Sequence, residues 1–323
     1  MYDIFALGDI IVDLTPCPAS ESGNPVYECN PGGTVANMAV STARMGLKTL
    51  LAGCVGDEDL GRHVEKVIAG KGVDTSGVVF DADHFSTLAV ITLKNGERSF
   101  SFSRKYAADI NLKIEDVDMQ KLLSSKIFHV SGMCFSDDPC KNTAFYAMEK
   151  AREAKIITTL DVNYRPLLWR SEDDFRQTLA DVIRKIDIYK SSEEEILLIT
   201  GENTLDRAAE KISSWGPRLV LVSCGPKGAY FYYRGQTGTG NTFDTVRVDT
   251  TGAGDCFMGA VLYKIINRNG TADFQYDELL EILEFANAAG AVSISRRGGV
   301  ASMPGLDEIA GCMKNTKKLV IPW

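Results

Sequence analysis

Asp249-Thr250-Thr251-Gly252-Ala253-Gly254-Asp255 sets two threonines and a Gly-Ala-Gly run directly ahead of an acidic residue. Upstream, Thr245-Val246-Arg247-Val248 alternates and reads as the end of a strand. Downstream, Phe257, Val261 and Ile265 recur at four-residue spacing, which predicts a helix from Cys256 that ends at Asn269-Gly270. A small-residue loop therefore stands where a strand hands over to a helix. Thr250 or Thr251 is expected to cap that helix, whose first amides lack intrahelical partners. Gly252 and Gly254 permit unusual dihedrals and the close approach of a bulky anion. Free amides and the positive end of the helix dipole together make an anion site. Asp255 has two readings. It can complement the helix dipole, as acids in first turns often do, or it can act as a base beside an anion cradle. The second arrangement suits transfer of a phosphoryl group to a hydroxyl whose proton the carboxylate takes.

The segment from Asp249 to Leu262 resembles, position by position, the C-terminal signature of the ribokinase-like (PfkB) carbohydrate kinases. The resemblance implies that Asp255 is the catalytic base and that the amides of Gly252, Ala253 and Gly254 form the anion hole. It implies a fold of three layers, a doubly wound, mostly parallel sheet between helices, with a small β-sheet lid. The whole chain, 1–323, is then one kinase unit with its lid built from segments of about 11–30 and 86–106.

The bulk properties narrow the class of protein without naming an activity. Apolar residues make up 45% and charged residues 24%, ordinary for a globular chain. The net charge of −8 argues against nucleic acid or an anionic membrane as partner. The eight cysteines form no CxxC pair, which together with the lack of a signal peptide reads as reduced thiols in a cytoplasmic protein. No apolar run is long enough to span a bilayer. His63, His84 and His129 are too dispersed to suggest a metal site. GxxxxGK[ST] and an opening GxGxxG are both absent, so P-loop and dinucleotide readings lack their anchor.

Taken from the N-terminus, Ile4 to Gly8 and Ile10-Ile11-Val12 read as one buried strand that Asp13 ends. Asp13 alone is a turn carboxylate. The resemblance makes it the residue that holds two sugar hydroxyls, and Ile11, where ribokinases proper carry asparagine, points to the fructokinase branch. Pro31-Gly32-Gly33-Thr34-Val35-Ala36-Asn37 opens a helix that Gly46 stops. It resembles the family's N-terminal signature, departing at Val35, and implies a sugar-pocket floor of Gly32 and Gly33 with Asn37 on a hydroxyl. Leu88–Leu93 and Arg98–Ser103 flank Lys94-Asn95-Gly96-Glu97, a strong hairpin pattern with Phe100 and Phe102 on one face. Such an antiparallel excursion suggests a lid. Arg104, with Ala108-Asp109, resembles a fructokinase substrate-binding stretch; a lone arginine at a strand end is otherwise a solvated charge.

From Lys126 onward strands and helices alternate, which implies a parallel sheet with ligands at the carboxyl ends of its strands. Asp161-Val162-Asn163-Tyr164-Arg165 sits at one such end and resembles the Asp-x-Asn-x-Arg motif of fructokinases and 2-keto-3-deoxygluconate kinases. Asn163 and Arg165 are thereby implied as substrate ligands, although Arg165 also suits a helix-capping salt bridge. On the nucleotide side the resemblance implies Lys190, Ser192, Glu195, Ser223, Gly225, Gly228 and Asn287. Glu195 would act on magnesium through water, whereas three consecutive glutamates otherwise read as a solvated helix start. Asp249, Thr251, Gly298 and Ser302 resemble a loop set that holds a monovalent cation, potassium, in some members. The resulting expectation is an ATP-dependent kinase for a primary sugar hydroxyl, most like a fructokinase, without nucleic-acid or membrane partners and with dimerisation through the lid strands. The alternatives are a 2-keto-3-deoxygluconate kinase, whose acidic substrate Arg104 and Arg165 would hold, and a non-catalytic sugar-binding regulator.

Overall fold

Four apolar residues, Ile4–Leu7, form strand β1, and all four are buried. A strand buried on both faces reads as a continuous apolar run, and β1 lies inside a large sheet. The coordinates are a computed structural model describing the backbone of residues 1–94, 97–268 and 270–323, and the side chains of these except 93, 94 and 97–100. The turn expected at Asn95-Gly96, the helix stop expected at Asn269 and the facing of Phe100 lie outside the described residues.

The chain continues through β2 (Ile11–Cys17), β3 (Val26–Gly32), α1 (Thr34–Arg44), β4 (Thr49–Gly56), α2 (Asp59–Ala69), β5 (Asp74–Asp81), β6 (Leu88–Lys94) and β7 (Glu97–Ser103). Then come α3 (Met119–Leu123), β8 (Ile127–Ser131), α4 (Cys140–Glu153), β9 (Ile157–Asp161), α5 (Glu172–Ile183), β10 (Ile188–Ser192), α6 (Glu193–Thr200) and α7 (Leu205–Trp215). The last third holds β11 (Leu219–Ser223), β12 (Ala229–Tyr233), β13 (Gln236–Gly240), α8 (Ala253–Asn267), α9 (Tyr276–Ser293) and α10 (Leu306–Asn315).

Among the described residues, the main sheet runs β13-β12-β11-β10-β9-β8-β1-β4-β5. It is parallel from β11 to β5, and β12 and β13 are added antiparallel. Alternate residues divide between its two faces. Ile4, Ala6, Ile127 and Ile188 join the core under α1, α2, α8, α9 and α10. Phe5, Leu7, Phe128 and Tyr189 join the core under α4 to α7. Two helical layers thus sandwich one sheet, the doubly wound three-layer arrangement read from the β-then-α alternation.

A second sheet of order β3-β2-β6-β7 stands apart. It overturns one strand expectation, because Ile10-Ile11-Val12 does not continue β1. The chain leaves the main sheet after Leu7, and Ile11–Cys17 pairs antiparallel with β3 and parallel with β6. Gly8-Asp9 interrupts the run, and it is there that the chain changes sheets. A second expectation also fails: Thr245–Val248 is not a strand. Val246 is 77% exposed, and the amides of Val248 and Asp249 donate to the Ile294 carbonyl beyond α9 (2.8 and 3.0 Å). β13 ends the main sheet at Gly240, so the alternating residues that follow have no strand to pair with.

Candidate active site

The carboxyl ends of β1, β8, β9, β10 and β11 open toward the small sheet, and between the two sheets lies a cavity of about 1220 Å³. Parallel sheets gather ligands at this edge because their crossovers leave a crevice there. Asp255 lies in this cavity, in the first turn of α8 and 7% exposed. The helix begins at Gly252 without a side-chain cap, which corrects the expected Thr250 or Thr251 cap. Gly252 adopts φ 77°, a backbone angle that favours glycine, and a Cβ there would press on the flexible end of Met303. The Ala253 amide donates to the Thr250 carbonyl at 3.3 Å, closing the turn that aims α8 into the cavity.

Charge on Asp255 is set by its neighbours. Asn37 on α1 donates its Nδ2 to Asp255 Oδ2 at 2.8 Å, and Asn37 Oδ1, also buried, accepts no hydrogen bond among the described residues. Burial first, and the carboxylate of Asp161 next, push Asp255 up to about 7, against the opposing pull of Lys190 and Asn37. A carboxyl poised near neutrality, next to a helix N-terminus, can accept and return a proton at ordinary pH.

At the end of the cavity beside the small sheet, Asp13 on β2 adjoins Gly32 on the neighbouring strand, where an added Cβ would collide with the Asp13 carboxyl. Gly33 takes φ 109° and would collide likewise with the Asp9 carbonyl. Asp9 itself accepts from the Thr34 amide at 2.5 Å and the Ser131 hydroxyl at 2.7 Å, pinning the start of α1 to the end of β8. Asn163, held at φ 42°, donates to Thr34 Oγ1. Arg104 is 6% exposed and does not face the cavity directly. Its Nε donates to Asp109 at 2.7 Å, Nη1 to Ser136 at 2.6 Å and Nη2 to the Met133 carbonyl at 3.3 Å. Burial alone would draw its pKa down, and the Asp109 charge holds it up instead.

The other end is built on β10 and α6. Ser192 caps α6 and Glu195 completes a capping box, accepting the Ser192 amide at 2.7 Å. The second Glu195 oxygen accepts the Tyr164 amide at 2.6 Å, so one carboxylate joins α6 to the Asn163–Arg165 loop. Arg165 and Ser223 also line the cavity. Asp249 accepts from the amides of Thr251 (2.8 Å) and Gly298 (2.9 Å), and Ser302 donates to the Gly299 carbonyl at 2.9 Å.

Of the residues nominated from sequence, Asp13, Gly33, Asn37, Asn163, Arg165, Lys190, Ser192, Glu195, Ser223, Asp249, Thr251, Gly252, Ala253, Gly254 and Asp255 share this cavity. Gly32, Arg104, Gly225, Gly228, Asn287, Gly298 and Ser302 are not in its lining. Asn287 instead donates to the carbonyls of Gly240 and Asn241, at 2.7 and 3.3 Å, tying α9 to the end of β13. Sequence reasoning passed over Asp9, Thr34, Phe102, Met133, Asp161 and Arg247, all in the lining. Asp9 follows a strand directly and Asp161 opens the motif already singled out, so both carried a readable signal. Met133 and Arg247 carried none.

Compared with known protein families, residues 1–306 match the pfkB family carbohydrate kinases. The chain belongs to this family. Among curated relatives, probable fructokinase-3 of Arabidopsis thaliana is 33% identical over 98% of this chain and 92% of its own. Among solved structures, fructokinase from Xylella fastidiosa with bound ATP superposes with a TM-score of 0.90 at 27% identity, covering 97% of this chain and 99% of that one. Fructokinase from Vibrio cholerae O395, in a fructose-, ADP- and calcium-bound form, gives a TM-score of 0.86 at 27% identity, covering 97% and 99%. The three-layer sheet with its separate four-stranded sheet is thus the fold of the ribokinase-like sugar kinases, and the chain is a carbohydrate kinase of the pfkB family.

Proposed function

We propose that this kinase phosphorylates fructose on a primary hydroxyl, with Asp255 as the base. The observation that carries the reading is the place of Asp255: buried at the N-terminus of α8, hydrogen-bonded by Asn37, and facing the cavity between the two sheets. Fructokinases among its relatives give the substrate. Asp13, an acceptor beside the Gly32-Gly33 turn, takes a pair of sugar hydroxyls. Asn37 Oδ1 accepts another, while Asn163 and Arg165 border the same end. Arg104, committed to Asp109, Ser136 and Met133, shapes this end through Met133.

Asp255 removes the proton of the attacking hydroxyl as its oxygen bonds to the γ-phosphorus of ATP. The bond from that phosphorus to the β–γ bridging oxygen breaks, ADP leaves, and Asp255 passes its proton to solvent. The amides at Gly252, Ala253 and Gly254, with Lys190, stabilise charge on the transferring group. Ser192, Ser223 and the Gly225–Gly228 turn follow the nucleotide toward Asn287.

The Glu195 carboxylate fits magnesium, because each oxygen accepts one amide and keeps lone pairs for the water such an ion retains. The ion, when bound, neutralises phosphate charge. Potassium is assigned, in the same reading, to the set of Asp249, Thr251, Gly298 and Ser302, where Asp249 draws two loops together around an anionic oxygen pair. The four-stranded sheet is read as a lid over the sugar within one kinase unit, and its edge strands β3 and β7 as a dimer contact. ADP release with magnesium-ATP, measured against fructose, 2-keto-3-deoxygluconate, ribose and adenosine, tests the substrate. Turnover with fructose alone is expected. Turnover with the keto acid would reassign Arg165 to a carboxylate, and no turnover with any would favour a binding protein.

A further inference from the structure

Asp161 ends β9, and Lys190 stands directly opposite it in the parallel register of β10. Their side chains meet twice, at 2.7 and 2.9 Å, and both are almost fully buried. The same ammonium adjoins the first turn of α8, where a methyl group added at Gly254 would come to 2.7 Å from Lys190 Nζ. Lys190 therefore holds one carboxylate and adjoins the turn bearing another, Asp255. A flexible four-carbon stem with three rotatable donors can serve either. Resting on the reading of Asp255 as base, we propose that Asp161 is a positioning residue: it clamps Lys190 behind Gly254, so that the ammonium faces the incoming phosphoryl group instead of closing on Asp255.

The charges around Asp255 show why a clamp is needed. Asn37 faces it from α1, Lys190 from β10, Asp161 from β9 and Asp9 from beyond β1. Glu195 on α6 acts on Lys190 from further off, as Arg165 does on Asp161. Lys190 bound to Asp255 would hold the base ionised but spend it on an ion pair, and would withdraw the cation from the donor phosphate. Asp161 prevents both. Its own charge also favours the protonated form of Asp255, while burial would lower Lys190 and Asp161 holds it up instead.

The pH dependence of kcat/KM for fructose at fixed magnesium-ATP, in wild type, Asp161→Asn, Lys190→Gln and the double variant, tests the clamp. Asp161→Asn is expected to lower kcat roughly 10- to 100-fold and to move the acid limb down by about one pH unit, with the fructose Kd changed less than about threefold. Lys190→Gln is expected to move that limb up, and Asp161→Asn to add no further loss in the Lys190→Gln background. An unmoved limb, or a full additional loss in the double variant, overturns the clamp. If Asp161→Asn fails to fold, the Lys190→Gln limb decides alone. Thermal unfolding against pH, comparing each background with and without Asp255→Asn, reads the same coupling without turnover. That shift without wild-type turnover of fructose counts against the functional reading only; turnover without the shift counts against the clamp only.

Discussion

At Asp255 the burial that raises the carboxyl toward neutrality, as the proposed base needs, also costs stability. The carboxyl is held near 7, so kcat/KM is expected to fall about tenfold per pH unit on the acid side of that value, as the base is protonated. Asp255→Asn is expected to lower kcat by about 10²–10⁴ while isothermal titration still detects sugar binding; retained turnover would remove Asp255 as the base. The stability effect has the opposite direction. A carboxyl raised in the folded state stabilises it fully below the unfolded value near 4, and that contribution is lost as pH rises through about 7. Above pH 7 the wild type carries the whole penalty, about 2–4 kcal/mol from a shift of this size. Asp255→Asn is therefore expected to unfold at a Tm roughly 5 °C higher than wild type at pH 8, and to lose that advantage near pH 4. Differential scanning fluorimetry across pH checks it. Asp255 was legible because its neighbours in the chain, Gly252 to Gly254, are the ones that matter; Asp161 and Lys190, 29 residues apart, meet only through strand register.

At the scale of elements, two helix starts carry the site. α8 opens on a glycine in the left-handed region, and α6 on a capping box. Gly254→Ala would drive a methyl group against Lys190 Nζ, and is expected to cut kcat about tenfold or more while leaving the fructose Kd within about threefold. Equal losses in kcat and sugar affinity would show a wider distortion. Glu195→Ala leaves the half-buried amides of Ser192 and Tyr164 without their acceptor. It is expected to cost about 1–3 kcal/mol in denaturant unfolding and to raise the KM for ATP. The helix of α8 was legible from its four-residue spacing. The strand expected before it was not there, because alternation at Thr245–Val248 states a preference that only a neighbouring strand can satisfy.

For the whole molecule, the cavity exists because a parallel sheet ends against a second, smaller sheet. Binding at such a junction couples the two bodies, and fructose with a non-hydrolysable ATP analogue is expected to reduce the radius of gyration in small-angle scattering. An unchanged radius would mean that the four-stranded sheet does not close. Among the described residues no helix is long and apolar enough to cross a membrane.

By itself the sequence determined the α/β alternation, the glycine turn with its buried acid at 252–255, and the strands of β6 and β7, because each is written in residues close along the chain. Only tertiary structure decided where the run from Ile4 to Val12 passes from one sheet to the other, that Arg104 turns to Asp109, and that Lys190 meets Asp161 beside the turn bearing Asp255. These depend on which strands become neighbours and how deeply each charge is buried, and long-range packing sets both.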